Sequence, residues 1–308
     1  MSQSAGAFHV PVLTEAILDA ARGGRRAVDA TLGHGGHAEA LRNAGFDILG
    51  IDRDPEALAI ARRRLGEERI RYLEAWFASE EALDAARGFR PDFVLLDLGV
   101  SSRQLDDEAR GFTFRPGAPL DMRMERSGPT AADLLNRTAE TTLRRWFADY
   151  GDERRAGRLA AEIARRRQRA AFTTSDDLVN AIRAVLGARS GPDDFARLFQ
   201  AVRIAVNGEL DELAAALPAY RDALEPGGVL AVLSYHSGED RLVKHAFREW
   251  SRACICPPEQ PVCTCRGRPL GHEAPKGGVT PSAEEIAGNP RARSARLRLF
   301  RLADDTAR

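Results

Sequence analysis

Residues 28–41, VDATLGHGGHAEAL, constrain the fold more than any other stretch: a short apolar run meets glycines 33, 35 and 36 and then an alanine-rich helical segment. Glycines at such a point let the backbone turn in left-handed conformations and approach a ligand closely. The segment therefore predicts a strand, a tight turn and a helix whose N-terminus faces an anionic or polar group. Gly33, Gly35 and Ala38 satisfy G-x-G-x-x-A, and Asp52 ends the next apolar run, in register for a carboxylate that accepts ribose hydroxyls. This pairing fits an adenosine-bearing cofactor, and on its own leaves NAD and S-adenosylmethionine both open.

The rhythm around the turn sets the fold class. Strands are predicted at residues 25–31, 46–52, 69–77 and 91–99, with helices over 37–43, 55–65 and 80–87 between them. Val94, Leu95 and Leu96 form the continuous apolar run of a strand buried on both faces. Alternating units of this kind imply an α/β fold with a parallel sheet and right-handed crossovers. From about residue 127 to 200 only helical patterns follow, one of them opened by Ser175, Asp176 and Asp177 and stopped by Gly187. Strand patterns return at 227–236, after a helix that Pro218 is expected to kink, and at 294–302. The expected organisation is a Rossmann-like core made of residues 1–126 and 203–308, with an all-helical domain inserted over 127–202.

Composition narrows the class further. At 308 residues with 44% hydrophobic content, the chain can bury a sizeable core. Lys+Arg and Asp+Glu are 45 each, so net charge gives no argument for nucleic acid, and any basic surface must be local. Nearly all the cations are arginine, Lys244 and Lys276 being the only lysines. No basic leader precedes an apolar core, and no apolar run approaches the roughly 18 residues of a membrane span, so a cytoplasmic protein with no membrane association is expected. Cys254, Cys256, Cys263 and Cys265 all fall in CICPPEQPVCTC, which excludes a disulfide framework for the whole domain. Two C-x-C pairs suit either a structural zinc or reduced thiols in a proline-stiffened loop. One intervening residue is tighter than the usual two to four, which favours the thiols and no metal.

Three features favour the sulfonium cofactor over NAD. Asp29 stands where a positively charged methionine tail needs an acid, and Phe77, ending the third strand, is placed to pack on an adenine face. The fourth strand ends in DLGVSSRQLD, gathering Asp97, Ser101, Ser102 and Gln104 at the carboxyl edge where open α/β sheets bind ligands.

HVPVLTEAI, DATLGHGGHAEAL, GIDRDPEAL, LLDLGVSSRQLDDEARGFTFRPGAPLDMRM, FQAVRIAVNGEL, LSYHSGEDRLVK and NPRARSARLR together closely resemble the RsmH (MraW) family of bacterial 16S ribosomal RNA cytidine N4-methyltransferases. The resemblance covers nearly the whole chain. It implies a class I methyltransferase core with a helical insertion, S-adenosylmethionine as donor, and 16S rRNA or the small ribosomal subunit as partner, with a decoding-centre cytidine as target and no obligate protein partner. Residue by residue, the family's cofactor positions fall on Gly35, Gly36, His37, Asp52, Phe77, Asp97 and Gln104. The chain departs from many amino-methyltransferases in having DLGV where they carry DPPY or NPPY, so the usual account of how that motif holds the target amine transfers only in part.

Methylating an exocyclic amine requires a freed lone pair aligned with the S–CH3 bond. Asp97 is the candidate catalytic residue, as an acceptor for the amine; the carbonyls of Leu98 and Gly99 or the Ser101 hydroxyl are alternatives. For the substrate, Arg110, Phe112, Phe114, Arg115 and Arg123 in the long block suit stacking and phosphate contact, Asp121 is a further substrate candidate, and His236 stands at the same sheet edge, where it either touches substrate or caps a turn. Seven arginines between Arg154 and Arg169 make the first candidate RNA-facing surface, and RARSARLR, from Arg291 to Arg298, the second. Two other classes share part of the pattern: an NAD-dependent oxidoreductase, and a non-catalytic, zinc-stabilised RNA-binding protein.

Overall fold

In the computed structural model, which describes residues 11–99, 108–124, 128–257, 259–260 and 262–304, the apolar runs become β1 (Arg26–Asp29), β2 (Asp47–Asp52), β3 (Ile70–Glu74), β4 (Phe93–Asp97) and β5 (Val229–Ser234). Two further strands, β6 (Gly271–Glu273) and β7 (Arg296–Leu302), complete a seven-stranded sheet of order β3-β2-β1-β4-β5-β7-β6. β1 to β5 run parallel, while β7 is antiparallel to both β5 and β6.

The parity of side chains along β4 shows why this sheet is covered on both sides. Phe93 and Leu95 enter one apolar layer and Val94 and Leu96 the other, all four with no exposure. The first layer is closed by α1 (Thr14–Ala21), α2 (Gly36–Asn43) and α3 (Pro55–Leu65) through Ile17, Leu41, Leu58 and Leu65. Asp54 caps α3, its carboxylate accepting the Glu56 N–H at 2.9 Å, and Pro55 takes the first helical position, where a missing N–H costs nothing. α4 (Glu80–Phe89) lies against the second layer through Ala82 and Ala86.

Between β4 and β5 the chain forms α5 (Ala131–Arg137), α6 (Glu140–Arg145), a π-helical turn (Trp146–Tyr150), α7 (Ala156–Arg167), α8 (Ser175–Leu186) and α9 (Pro192–Asn207). These helices surround their own core, which includes Leu135, Phe147, Ile163, Ile182 and Leu198. Two asparagines clamp backbone in this unit as a strand neighbour would. Asn136 accepts the Phe172 N–H and donates to its carbonyl, both at 2.9 Å. Asn207 accepts from Met124 N–H and donates to the Met122 carbonyl.

The compact units comprise residues 1–99 with 212–308, and residues 100–211. The helical unit is thus wider than the expected 127–202. Leu120 and Met122 lie inside the helical core, with Phe112 and Phe114 packed against it, so this part of the long motif block folds with the helices.

α10 (Glu209–Ala223) and α11 (Ser237–Trp250) flank β5, and their Leu217, Tyr220, Phe247 and Trp250 fill the second layer. α10 continues through Pro218, where a kink was expected. α1, α11, the short β6 and α12 (Ala283–Gly288) had no assigned pattern in the sequence. No helix among the described residues is long and apolar enough to cross a membrane.

Candidate active site

β1 pairs with β2 on one side and β4 on the other, so the strand order reverses between β1 and β4. Ligands of open α/β sheets bind at the carboxyl edge of such a point. Asp29 ends β1, Asp52 ends β2 and Asp97 ends β4. Asp52 Oδ2 accepts the Gly33 N–H at 2.7 Å and Oδ1 the Asp54 N–H at 2.9 Å, tying the glycine turn to the second strand. Burial pushes the Asp52 carboxyl above the usual range against the pull of those two N–H donors. Each oxygen retains a second lone pair for a further donor.

The glycines of the turn differ in what they permit. Gly33 and Gly35 are both left-handed, with φ of 51° and 78°. A Cβ on Gly33 would meet nothing nearer than the Thr31 carbonyl at 4.0 Å, whereas one on Gly35 would lie 2.6 Å from Leu65 Cδ1. Gly35 is therefore required by the packing of the turn against α3. Gly33 is the position whose backbone has open space beside it. On Gly36, the first residue of α2, a Cβ would press on Pro11 at 3.2 Å.

Around Asp97 the structure assembles a cluster that sequence reasoning caught only in part. The Asp97 N–H donates to Thr31 Oγ1 at 2.6 Å, and Oδ1 accepts the Tyr235 hydroxyl at 3.0 Å. His37 Nε2 lies 3.5 Å from Oδ2. Thr31 and Tyr235 were missed; the visible signal for Tyr235 is a hydroxyl-bearing aromatic directly after β5, the strand beside β4. Burial and the neighbouring Asp97 charge drive the Tyr235 hydroxyl far upward, so it remains a donor.

Both ring nitrogens of His37 and the Trp76 indole nitrogen are buried without a hydrogen-bond partner among the described residues. Unsatisfied buried polar atoms are rare, and here they stand beside the acids of a ligand-binding edge. Arg53, next to Asp52, stacks 4.0 Å above the Trp76 ring. Phe77, expected on an adenine face, is 5% exposed within the second apolar layer, and its carbonyl accepts the Tyr220 hydroxyl at 2.7 Å.

Asp29 is 2% exposed, and burial pushes its carboxyl up to about 7, opposed by the nearby His37. The folded chain therefore holds a proton that the unfolded chain releases near pH 4, so this group stabilises the fold at low pH and the contribution is lost as pH rises through 7. Melting temperatures of wild type and Asp29→Asn, compared from pH 5 to pH 8, should converge at the acidic end and diverge in favour of the variant at the alkaline end. Parallel curves would show that Asp29 does not titrate in this window.

The MraW methylase family model matches residues 6–303. The chain belongs to that family. Proteins named ribosomal RNA small subunit methyltransferase H are close over the full length. The one from Gemmatimonas aurantiaca is 58% identical over 304 residues, covering 97% of this chain and 96% of its own. Those of Rubrobacter xylanophilus and Heliobacterium modesticaldum are 46% and 44% identical, covering 97% and 94% of this chain and 98% and 97% of theirs. As an MraW methylase the chain uses S-adenosylmethionine, and the oxidoreductase and non-catalytic readings fall away. The edge fits the cofactor, since it offers Asp52 lone pairs for hydroxyls, open space at Gly33, a buried acid in Asp29 and donors in need of partners.

For this MraW methylase, several expected substrate contacts turn out to be engaged within the chain. Arg123 makes a bidentate pair with Asp121, at 2.7 and 2.8 Å, which holds the Asp121 carboxyl below its usual range. Arg115 pairs with Glu108, and Arg110 donates to the carbonyls of Arg123 and Met124. Phe114 meets Phe195 and Phe199 edge-on, at 5.9 and 6.1 Å. His236 caps α11, its Nδ1 accepting the Gly238 and Glu239 N–H groups, with Nε2 3.1 Å from Glu239 Oε1.

The arginine surfaces change as well. Arg298 is 3% exposed and bonded to Asp240 and Glu273, and Arg296 donates to the Gly277 carbonyl, so two of the four arginines of RARSARLR are engaged within the chain. On α7, Glu162 pairs with Arg165 and Arg166, which hold its carboxyl down at about 2, while Arg167 and Arg155 cap backbone carbonyls. Gln104, Ser101 and Ser102 lie outside the described residues.

Proposed function

We propose that this small-subunit rRNA methylase, acting in the cytoplasm, transfers the methyl group to the N4 amine of a cytidine in the decoding centre of 16S rRNA. The observation that carries the reading is Asp97. Its side chain is 28% exposed at the switch point, while Tyr235 and the Thr31 contact to its backbone N–H fix its place, leaving carboxylate lone pairs for an incoming amine. S-adenosylmethionine supplies a methyl group on a good leaving group, so the protein's task is alignment more than strong base catalysis. Asp97 accepts a hydrogen bond from the amine and localises the nitrogen lone pair. With DLGV in place of DPPY or NPPY, this carboxylate and the carbonyls of Leu98 and Gly99 are acceptors at the end of β4 among the described residues.

A paired cytosine must leave its stack to reach such an edge. Arg154, Arg158 and Arg169 in the helical unit are exposed and have no acidic partner among the described residues, whereas Arg165 and Arg166 pair with Glu162 and Arg155 and Arg167 donate to backbone carbonyls. They are the cations available for backbone phosphates. The assay is transfer of labelled methyl to small ribosomal subunits lacking the modification, followed by digestion to nucleosides. Label in N4-methylcytidine is expected. Label on ring carbon, on ribose or on another base would overturn the amine assignment.

A further inference from the structure

Four cysteine sulfurs outside the methyl-transfer edge form a cluster with the dimensions of a metal site. Sγ–Sγ separations are 3.7 Å for Cys254 and Cys263, 3.9 Å for Cys256 and Cys263, 3.5 Å for Cys263 and Cys265, and 3.8 Å for Cys254 and Cys265. All four sulfurs lie within 4.8 Å of one another. A tetrahedron of thiolates around an ion at about 2.3 Å has edges of about 3.8 Å. Disulfides are absent from the cluster.

The surroundings supply a second reason for a cross-link. Between Trp250 and Leu270 no described residue is buried, and Ile255 and Val262 are exposed by 43% and 69%. The loop has no apolar interior to offset the entropy of ordering its backbone. Its ends are fixed: the Leu270 N–H donates to the Trp250 carbonyl at 2.9 Å, and Arg266 reaches the carbonyls of Glu249 and Arg252. At the tip, among the described residues, Gln260 donates through its side chain to the Val262 carbonyl and Thr264 Oγ1 and through its backbone N–H to the Pro257 carbonyl. The Ile255 N–H donates to Cys265 Sγ at 3.3 Å, the kind of backbone donor that orients and stabilises a metal-bound thiolate.

We propose that Cys254, Cys256, Cys263 and Cys265 bind one structural zinc ion, which cross-braces the loop between α11 and β6. The expectation from the tight C-x-C spacing, of reduced thiols without metal, is revised because the two pairs converge face to face and the pairwise separations suit a tetrahedron. The ion has a closed coordination shell, with no open position for substrate.

The test uses the full chain, purified without chelators or metal-affinity resin. Elemental mass spectrometry should find one zinc per chain, and a thiol-specific mercurial should release it in step with reaction of the four thiols. The Cys254→Ser, Cys263→Ser double variant should lose the zinc, melt at lower temperature and keep S-adenosylmethionine affinity, separating this site from the cofactor edge. Wild-type protein free of zinc with four reactive thiols, an intact mass showing disulfides, or iron in place of zinc would each overturn the proposal, whether or not the variant folds.

Discussion

Asp97→Asn should fold normally and lose methyl transfer by about a hundredfold or more, the scale of a positioned polar group acting on reacting atoms and equivalent to about 2.7 kcal/mol of barrier. Asparagine keeps the shape and one acceptor, so the Tyr235 hydroxyl retains a partner, and the Thr31 contact, made to the backbone N–H, is unaffected. What disappears is the charge and one acceptor on the open side. Thermal melting reports the structural part, and transfer to small-subunit RNA at saturating cofactor reports the chemistry. A melting temperature that falls in proportion to activity would make Asp97 a stabiliser of the strand end. Near-normal turnover in a stable variant would pass the amine to the carbonyls of Leu98 and Gly99.

Asp52→Ala should weaken S-adenosylmethionine binding by more than tenfold, because charge-assisted bonds to two hydroxyls are removed together. The variant also leaves the N–H groups of Gly33 and Asp54 without their acceptor, so a lower melting temperature is expected alongside. Calorimetry on the folded variant decides the matter: wild-type affinity would take Asp52 out of the cofactor site. Gly33→Ala is the companion probe. Its added methyl points into open space, so weaker cofactor binding there cannot be blamed on a clash inside the protein, although its positive φ carries some strain. Gly35→Val would test folding instead, given Leu65.

The parts of this site that were legible in the sequence are those written by local spacing. Gly33, Asp52 and Asp97 each stand at the end or immediate sequel of an apolar run, and that alone fixes them to one sheet edge. Tyr235 was not legible as a partner of Asp97, since the two are 138 residues apart and only the β4–β5 pairing brings them together. Arg298 misled for the same reason: its charge reads as surface until Asp240 and Glu273 arrive from α11 and β6. Arg123 is a different failure. Asp121 lies two residues before it, so the neutralising pair was in plain view, and both were assigned to substrate. The cysteine spacing pointed to reduced thiols without metal, and could not show that the two short C-x-C segments meet. The helical unit's wider boundary was hidden because Phe112, Phe114, Leu120 and Met122 lie in an irregular segment with no period to read.

The place of β7 in the sheet bears on how the chain is made. Synthesis produces β6 before β7, yet β7 lies between β5 and β6. Until residues 296–302 have left the ribosomal tunnel, β5 presents a bare edge, β6 has no neighbour to join, and Leu297, Leu299 and Phe300 are missing from the two apolar layers. A nascent chain halted before residue 296 would therefore carry the glycine turn and all three edge acids on an unfinished sheet, exposed to edge-to-edge pairing with other chains. The enzyme becomes competent only once this late strand is threaded between β5 and β6, the step that seals the core.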